Sequence, residues 1–350
     1  MKVIFLAAGT DILASSRTRV YQYFPYLRRE GIYCKVINFT SEGECRANMM
    51  RHKRSFARLI LDKSYSFLQL LKFLFCAPGY DVVVVQKVLL PNMLQATLKF
   101  LNKNLIFDFD DAIFIKDIYK NNKFIKRFIH MISQSKYVIL ENDFTKGFVY
   151  KYNKNILMIT GPIDVCRYSL RERKSDNSKV TIGWIGSQDT VDYLKPLHGV
   201  LQVLSKKYST LRIGVIGPKE LNLNGVNLII KEWSLDAEVS NLYDFDIGIM
   251  PLFEDNWSMG KGGYKLLQYM SIGIPCVASP VGINQKIVRD GINGYLARTQ
   301  KEWEERLSTL IENYSLRLEM GLRGREIAVK EYSFESSIGS FVQTLNQVSN

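Results

Sequence analysis

Apolar and polar positions alternate along the chain in a way that predicts strands and helices in turn. Runs without polar alternation, such as DVVVVQ, are typical of strands buried on both faces of a parallel sheet. The strand patterns of the first half are KVIFLAAG (2–9), CKVINF (34–39), DVVVVQ (81–86), LIFDFDD (105–111), YVILEN (137–142) and ILMI (156–159). Helical patterns lie between them, over 18–30, 51–75, 92–102, 121–134 and 143–152.

The alternation stops at YSLRERKSDNSK (168–179), a polar stretch that predicts a linker, and then restarts. The later strand patterns are VTIGWIG (180–186), LRIGVIG (211–217), NLIIKEW (227–233), FDIGIMPL (245–252), PCVASPV (275–281) and GYLAR (294–298), and a helical tail follows from about residue 300. Strands that alternate with helices predict an α/β protein with parallel sheets covered on both faces. We expect two doubly wound, Rossmann-like domains, 1–165 and 175–335, with a helix over 336–350 that packs back on the first domain. Because such sheets bind ligands beyond the carboxyl ends of their strands, an interdomain cleft is the expected site.

Size and composition agree with two globular domains. The chain has 350 residues, more than one ordinary core accommodates, with 47% apolar and 23% charged residues. Its five cysteines are widely spaced and its three histidines do not cluster, which argues against a disulfide framework and a zinc site. The opening apolar run is short and is followed by Asp11, so it favours a first strand over a secretory signal. No apolar stretch reaches the roughly 18 residues of a membrane span, and we expect a cytoplasmic protein.

The net charge of +13 is concentrated in the first half of the chain. Residues 1–175 contain 29 Lys and Arg against 14 Asp and Glu, whereas the remainder contains 18 against 20. This asymmetry predicts an anionic partner for the first domain. The basic amphipathic segments 51–75 and 121–132 favour the inner face of the cell membrane, where the protein would bind peripherally. No nucleic-acid-binding motif accompanies them.

The segment GKGGYKLLQYMSIGIPCVASPVG (260–282) combines a glycine loop, two lysines and the start of a helix. A helix N-terminus has unpaired N–H groups and a partial positive charge, and glycines allow a ligand to approach the backbone closely. Lys261, Lys265 and Gln268 share one helical stripe, so the two lysines could bind phosphate and the amide a hydroxyl. The alternative is a flexible loop with a solvated lysine.

Arg17 and Arg19 lie in the turn and helix start that follow the first strand pattern. Arginine binds phosphate oxygens in a fork geometry, so we predict that both contact a phosphate of a bound substrate, either a group donor or a group acceptor. The alternative is a solvated helix start, although cations there oppose the helix dipole.

Three aspartates end the strand pattern LIFDFDD. Asp108 and Asp110 could bind a metal for a nucleotide diphosphate, as in a DxD motif. Asp110 or Asp111 could instead orient an acceptor hydroxyl, and a structural role in capping or ion pairing is the third possibility.

The segment GIMPL…GKGGYKLLQYMSIGIPCVASPVG…IVRDGINGYL resembles the nucleotide-sugar domain of glycosyltransferase family 4, whose members have the GT-B fold. WSLDAEVSNLYDFDIGIMPL and SSRTRVYQYFPYLRREG are similar to a bacterial subgroup of that family that builds surface polysaccharides. The resemblance covers nearly the whole chain. It implies hexosyl transfer from a nucleotide-diphosphate sugar, with retention and without a metal cofactor.

The family carries two glutamates eight positions apart where this chain has Gly260 and Gln268. Gln268 could still hold ribose hydroxyls, and Glu254, Asp255 or Lys261 could substitute for the first glutamate. The absent pair leaves retention open. The remaining implied donor-binding positions are Gly186, Ser187, Lys195, Lys231, Trp233, Gly262, Gly263, Tyr264 and Lys265.

These observations predict a glycosyltransferase whose catalytic residues are Lys261, Asp110, Asp111 and Arg17. The expected acceptor is a saccharide, or a lipid-linked saccharide of lipopolysaccharide type, at the membrane. A non-catalytic binding protein of the same fold and a metal-dependent transferase built on Asp108 and Asp110 are the alternatives. A nicotinamide-dependent oxidoreductase is disfavoured because the first strand–helix turn lacks GxGxxG.

Overall fold

The predicted strands form two separate parallel sheets in the computed structural model, which describes residues 1–49, 54–115, 122–172 and 179–350. The chain clusters into two units. The first contains Met1–Pro162, Gly260–Gly262 and Phe334–Asn350, and the second contains Ile163–Met259 and Gly263–Ser333.

The first unit is built on a six-stranded sheet with the strand order β2-β1-β3-β4-β5-β6. Its strands, all parallel, are β1 (Lys2–Ala7), β2 (Tyr33–Asn38), β3 (Val82–Gln86), β4 (Leu105–Asp108), β5 (Tyr137–Leu140) and β6 (Ile156–Met158). Its helices are α1 (Ala14–Arg19), α2 (Phe24–Arg29), α3 (Glu42–Met49), α4 (Phe56–Cys76), α5 (Asn92–Leu101), α6 (Asn122–Gln134), α7 (Asp143–Val149) and the C-terminal helix Phe334–Ser349. The order in which strands are added to the sheet changes side between β1 and β3, as in doubly wound folds.

Side chains of the first sheet enter two different cores on its two faces. In β3, Val83 and Val85 pack in one cluster and Val82 and Val84 in the other. The second cluster includes apolar residues of the C-terminal helix, such as Phe341. Burial on both faces explains why the strand reads as an unbroken apolar run.

The second unit has a six-stranded sheet with the order β12-β11-β10-β7-β8-β9. The order in which strands are added changes side between β7 and β10. Its strands, again all parallel, are β7 (Thr181–Ile185), β8 (Arg212–Ile216), β9 (Leu228–Lys231), β10 (Ile247–Met250), β11 (Cys276–Ala278) and β12 (Gly294–Leu296). Its helices are α8 (His198–Lys207), α9 (Glu238–Leu242), α10 (Asn256–Met259), α11 (Tyr264–Ser271), α12 (Asn284–Ile287), α13 (Gln300–Glu312) and α14 (Tyr314–Glu331). This is the strand order of dinucleotide-binding Rossmann domains.

Three glycines on adjacent strands make room for two aromatic rings on one face of the second sheet. A Cβ atom added to Gly183 would lie 1.9 Å from the ring of Phe245, and one on Gly248 would lie 2.3 Å from the ring of Tyr269. Gly214 faces Phe245 in the same way, at 2.7 Å. The glycines within these strand patterns therefore serve packing, because the rings occupy the space of the missing side chains.

The prediction of two Rossmann-like α/β domains is confirmed, with local differences. The single helix predicted over 18–30 is interrupted after Arg19, and a 3₁₀ turn precedes α2. The helical tail consists of three helices. Residues 173–178 of the predicted linker, 51–53 of the first basic segment and 121 of the second lie outside the described residues.

Candidate functional site

Charged side chains collect at the carboxyl ends of three neighbouring strands of the first unit. Lys87 follows β3, Asp110 and Asp111 follow β4, and Glu141 follows β5. Because adjacent parallel strands end at the same edge of the sheet, these residues lie side by side, where doubly wound folds bind ligands. Lys261, from the segment Gly260–Gly262 of the same unit, joins them.

Two of the aspartates form ion pairs with lysines. Lys87 Nζ lies 2.5 Å from Asp110 Oδ1, and Lys261 Nζ lies 2.9 Å from Asp111 Oδ2. Burial alone would raise the pKa of Asp111, but Lys261 and Lys87 outweigh it and lower the pKa. Lys87 and Asp111 have positive φ angles of 59° and 22°, a sparsely populated conformation that is often found at functional sites.

Arg19 contradicts the prediction that it contacts a phosphate. It is 2% exposed, and its Nε and Nη2 atoms donate to the two carboxylate oxygens of Asp108 at 2.8 and 3.0 Å. Nη1 donates to Glu141 Oε1 at 3.2 Å and to the carbonyls of Ile159 and Gly161 at 3.0 and 3.2 Å. The guanidinium is therefore a buried structural link between strand ends.

Arg17 is also buried, at 4% exposure. Its Nη1 atom donates to the carbonyl oxygens of Asp11 and Ile12 at 3.1 and 3.3 Å. These contacts hold the turn between β1 and α1, and the phosphate contact of Arg17 stays a prediction.

Glu141 shares the cluster with three aspartates. Burial, followed by the negative charges of Asp110, Asp111 and Asp108, raises its pKa to about 8 against the attraction of Arg19. The surroundings of Glu141 therefore favour the protonated form of its carboxyl group more than water does.

The segment Gly260–Gly262 is held by backbone and amide contacts. Asn142 Nδ2 donates to the carbonyls of Gly260 and Lys261 at 3.1 and 3.3 Å, and the N–H of Ala112 donates to the Gly260 carbonyl at 3.1 Å. A Cβ on Gly262 would lie 1.7 Å from Glu141 Oε2, so only glycine allows this approach. These contacts place Lys261 beside Asp111.

The aspartates of LIFDFDD do not fit the metal site considered above. Asp108 pairs with Arg19, Asp110 with Lys87 and Asp111 with Lys261. Across the part of the chain that the structure describes, no three His, Cys, Asp or Glu side chains are arranged as metal ligands. Carboxylates that already neutralise buried cations are poorly suited to a divalent ion as well.

A second group of candidate residues lies at the carboxyl end of β7 in the second unit. Gly186 follows the strand, and its N–H donates to the carbonyl of Ile216 at the end of β8. Gly217, with a φ of 118°, packs so closely that an added Cβ would lie 1.9 Å from the Gly186 oxygen. Gln188 Oε1 accepts from the N–H of Lys219 at 3.0 Å, which further joins the loops after β7 and β8. Ser187 is therefore part of a fixed loop.

Helix α11 begins beside this loop without a capping side chain. Gly263 precedes it in the left-handed conformation, with a φ of 73° and no side-chain hydrogen bond to the first turn. Lys265, in that turn, lies with Nζ 4.2 Å from the centre of the Trp184 ring. Tyr264 is half-buried and faces the ring of Tyr168 edge-on, with 6.5 Å between centroids.

Gln268 and Trp233 are both linked by hydrogen bonds to the buried carboxylate of Glu238, Gln268 through the hydroxyl of Tyr168 and Trp233 directly. The sequence analysis did not identify this carboxylate. Gln268 is 4% exposed and donates from Nε2 to the hydroxyl of Tyr168 at 3.0 Å. That hydroxyl donates to Glu238, and Trp233 Nε1 donates to the other oxygen of Glu238 at 2.6 Å. The amide nitrogen predicted to hold ribose is thus occupied within the second unit.

Other residues predicted to bind the donor form ion pairs or hydrogen bonds with side chains and backbone of the protein. Lys231 Nζ lies 2.5 Å from Asp244 Oδ2, and Lys195 Nζ lies 2.8 Å from Asp192 with 71% of its side chain exposed. The two acidic substitutes are also engaged: Glu254 pairs with Arg298, and Asp255 Oδ1 accepts from the N–H of Ser258 at 2.7 Å.

Sequence reasoning missed Lys87, Glu141, Glu238 and the role of the Trp184 ring. A signal existed for the first two, because Lys87 directly follows one strand pattern and Glu141 lies at the end of another, as Asp110 and Asp111 do. Glu238 and Trp184 carry no such signal, because Tyr168 and Lys265, which they contact, are remote in sequence.

Comparison with known proteins gives a family match for part of the chain and solved structures that are similar to nearly all of it. Residues 179–313, which apart from Gly260–Gly262 lie in the second unit, match the family model described as Glycosyl transferases group 1. No curated protein sequence matches the chain significantly.

Several solved structures are similar to this chain over 99% of its length. Anabaena HepE in complex with UDP and glucose has a TM-score of 0.73 at 15% identity, with 100% of that chain covered. Sucrose-phosphate synthase from Thermosynechococcus elongatus has a TM-score of 0.69 at 11% identity, with 99% of that chain covered. A glycosyltransferase from Rickettsia africae has a TM-score of 0.66 at 12% identity, with 98% covered.

These findings support the resemblance at a coarse level. The fold is that of the GT-B glycosyltransferases, and residues 179–313 resemble a group 1 glycosyl transferase domain. Identities of 11–15% carry the fold alone. Assignment to family 4 and to its surface-polysaccharide subgroup stays a prediction.

Proposed function

We propose that the protein is a glycosyltransferase that moves a hexosyl group from a nucleotide-diphosphate sugar to a saccharide hydroxyl. The observation that carries this proposal is the match of residues 179–313 to the group 1 glycosyl transferases. It falls on a Rossmann sheet whose switch point, between β7 and β10, is where such folds bind nucleotides. The similar fold of HepE, which was solved with UDP and with UDP-glucose, favours the same class of donor.

In this proposal the second unit binds the donor. Backbone N–H groups of Ser187 and of the start of α11, together with Lys265, contact the diphosphate beside the backbone of Gly186. Trp233 and Lys231 lie toward the base, and Gln268 acts with Tyr168 near the ribose.

The chemistry exchanges one bond to the anomeric carbon for another. The acceptor oxygen bonds to that carbon on the face from which the diphosphate departs, the bond to the diphosphate oxygen breaks, and the acceptor proton passes to a phosphate oxygen of the leaving group on that same face. This route gives retention and needs no metal cofactor. Lys261 stabilises the negative charge of the leaving diphosphate, and Asp110 and Asp111 orient the acceptor hydroxyl.

Thermal-shift screening with UDP, GDP, ADP, CMP and dTDP tests the donor proposal. A ligand that binds only the folded state raises the Tm, by an amount that grows with its concentration. We expect one nucleoside diphosphate to stabilise the protein equally with Mg²⁺ and with EDTA, and its sugar conjugate to be consumed with a saccharide acceptor. Stabilisation that requires Mg²⁺ would favour the metal-dependent alternative. Binding without transfer to any acceptor would favour a non-catalytic protein.

We further propose that the acceptor is lipid-linked, in surface-polysaccharide assembly, and that the first unit binds peripherally to an anionic membrane. Helix α4 buries Asp62, Ser66, Leu70 and Phe73, which form one stripe. Its other faces expose large apolar side chains, among them Phe56 (78%), Leu61 (62%), Phe67 (59%), Leu68 (62%) and Phe75 (88%). Nearby α5 exposes Met93 and Phe100.

The excess of positive charge in the first half of the chain favours an anionic membrane as the partner of this surface. Exposed apolar side chains on this scale are unusual for a protein in water and indicate an interaction surface. Lys63 and Lys72 lie on α4 itself, in a half of the chain with a large excess of Lys and Arg. Each cation near an anionic bilayer adds about 1 kcal/mol of attraction. Within the described ranges, no helix is long and apolar enough to span a bilayer.

Vesicle co-sedimentation tests this surface. We expect the protein to bind phosphatidylcholine vesicles that contain 30% phosphatidylglycerol, and to bind pure phosphatidylcholine vesicles far less. Phe67→Ser together with Phe75→Ser should reduce binding roughly tenfold or more, because two large apolar side chains no longer enter the bilayer. Val203→Ser with Val329→Ser, at exposed positions of the second unit, is the control. Equal binding by the α4 variant, or loss of self-association in its place, would contradict the proposal.

A further inference from the structure

Lys265 occupies an unfavourable position for a cation. It is the second residue of α11, and no acidic side chain lies in that first turn. The N-terminus of a helix carries a partial positive charge, so a lysine there is repelled by the helix that bears it. A lysine in this position needs a compensating partner in the protein, in a ligand, or in both.

The protein supplies one partner, the ring of Trp184. Lys265 Nζ lies 4.2 Å from the ring centroid, within the range of a cation–π interaction. Trp184 is 1% exposed and belongs to β7, so its ring cannot follow the lysine into solvent. The ammonium group is thereby held against a fixed surface.

Gly186 makes this arrangement possible. A Cβ at that position would lie 2.8 Å from Lys265 Nζ, and 2.4 and 2.6 Å from Cη2 and Cζ2 of Trp184. Any side chain would therefore separate the ring and the ammonium group from the carboxyl end of β7. Without one, the cation lies directly beside the backbone of the loop at the nucleotide-binding end of the sheet.

A buried donor points to a ligand at the same place. Among the described residues, the indole Nε1–H of Trp184 has no hydrogen-bond partner although it is buried. In the indole ring this nitrogen is bonded to the carbon next to Cζ2, and Cζ2 is one of the two ring atoms that lie closest to a Cβ placed on Gly186. Buried donors without partners are rare and call for an explanation, which an anionic oxygen at Gly186 would provide.

We propose that Trp184 is a positioning residue, which holds the ammonium group of Lys265 beside Gly186 so that it binds the diphosphate of the nucleotide-sugar donor. The inference rests on the proposed function and goes beyond it, because it assigns a role to an aromatic side chain that itself need not react. Gly186 is part of the same construction, since only a residue without a side chain allows the ring and the ammonium group to lie this close to the backbone at the end of β7.

A double-mutant cycle tests this role. The variants are Trp184→Leu, Lys265→Met and their combination, with Trp184→Phe as the conservative change. The readouts are the Kd values of UDP and of uridine, measured by calorimetry. If the thermal-shift screen selects another base, that diphosphate and its nucleoside replace them.

We expect Lys265→Met to weaken UDP binding roughly 10- to 100-fold, as expected for the loss of a charged contact. Trp184→Leu should weaken it roughly 3- to 30-fold, the equivalent of a partly to fully desolvated cation–π contact. Trp184→Phe should recover part of this loss, and the double variant should bind as Lys265→Met does. Uridine affinity should stay within about twofold throughout, because the nucleoside lacks the diphosphate. Retained uridine binding also shows that each variant is folded.

Additive losses in the double variant, or an equal loss of uridine binding in Trp184→Leu, would mean that the ring merely supports the core, and the inference would be wrong. The proposed function would survive that result. If the wild-type protein binds no nucleoside diphosphate, the donor proposal fails, and this inference fails with it. Should Trp184→Leu not fold, the comparison of Trp184→Phe in the wild-type and Lys265→Met backgrounds decides the matter.

Discussion

Replacing Lys261 by alanine is expected to lower the rate of sugar transfer by about 100-fold or more and to leave the fold intact. The reason is that in the proposed mechanism the lysine stabilises the negative charge that develops on the leaving diphosphate, and loss of one such group costs roughly 10²- to 10³-fold in rate. Its side chain is 15% exposed and its ion pair with Asp111 is short, at 2.9 Å, so the ammonium group is already oriented. The measurement is kcat at saturating donor and acceptor, together with the Tm.

Lys301→Ala is the matched control for Lys261→Ala. Lys301 is 85% exposed and meets Glu305 at 3.8 Å on the surface of α13, so its loss should leave the rate unchanged. Turnover by Lys261→Ala at the wild-type rate would remove Lys261 from the mechanism. A reduced rate accompanied by a large fall in Tm would assign the effect to the fold.

Replacing Arg19 by methionine is expected to destabilise the first unit by about 3–5 kcal/mol, the usual cost of removing one partner of a buried ion pair. The substitution leaves the carboxylate of Asp108 without its two charge-assisted hydrogen bonds and Glu141 without its cation. Two backbone carbonyls, of Ile159 and Gly161, lose their donor as well. Denaturant unfolding followed by limited proteolysis of the first unit measures the loss.

Arg28→Met, at an exposed position of α2, provides the comparison and should change the stability by no more than about 0.5 kcal/mol. A buried structural role for Arg19 predicts that Arg19→Met loses stability, whereas a phosphate contact predicts that it loses ligand affinity. If Arg19→Met kept its stability and lost affinity for the nucleoside diphosphate, the buried role would be refuted and a phosphate contact restored.

The strands were readable because burial on both faces leaves a direct trace in the sequence. DVVVVQ predicts β3 to within one residue, and LIFDFDD predicts the start of β4 but extends three residues beyond its end. Helix ends were less accurate, since they depend on contacts that the apolar period does not record. The interruption after Arg19 occurs where that residue turns inward to Asp108, and no local pattern announces a partner 89 positions away.

The candidate site was readable in part. Residues that follow strands of a parallel sheet share an edge wherever they stand in the sequence, so Asp110 and Asp111 could be selected. Lys87 and Glu141 obey the same rule and could have been selected with them. The pairing of Lys87 with Asp110 and of Lys261 with Asp111 could not be foreseen, because ion-pair partners depend on distances of a few ångströms between remote segments.

By itself the sequence determined the α/β class, the two parallel sheets and the glycine-rich helix start, since apolar periodicity and glycine placement are local properties of the chain. Tertiary structure alone decided what the charged and aromatic residues do. Two arginines that appeared suited to phosphate are buried among carboxylates and carbonyls, and a core tryptophan holds a lysine at the end of a strand. The physical reason is that an ionisable group takes its role from the dielectric and the charges around it. Those surroundings come from segments that meet only when the chain is folded.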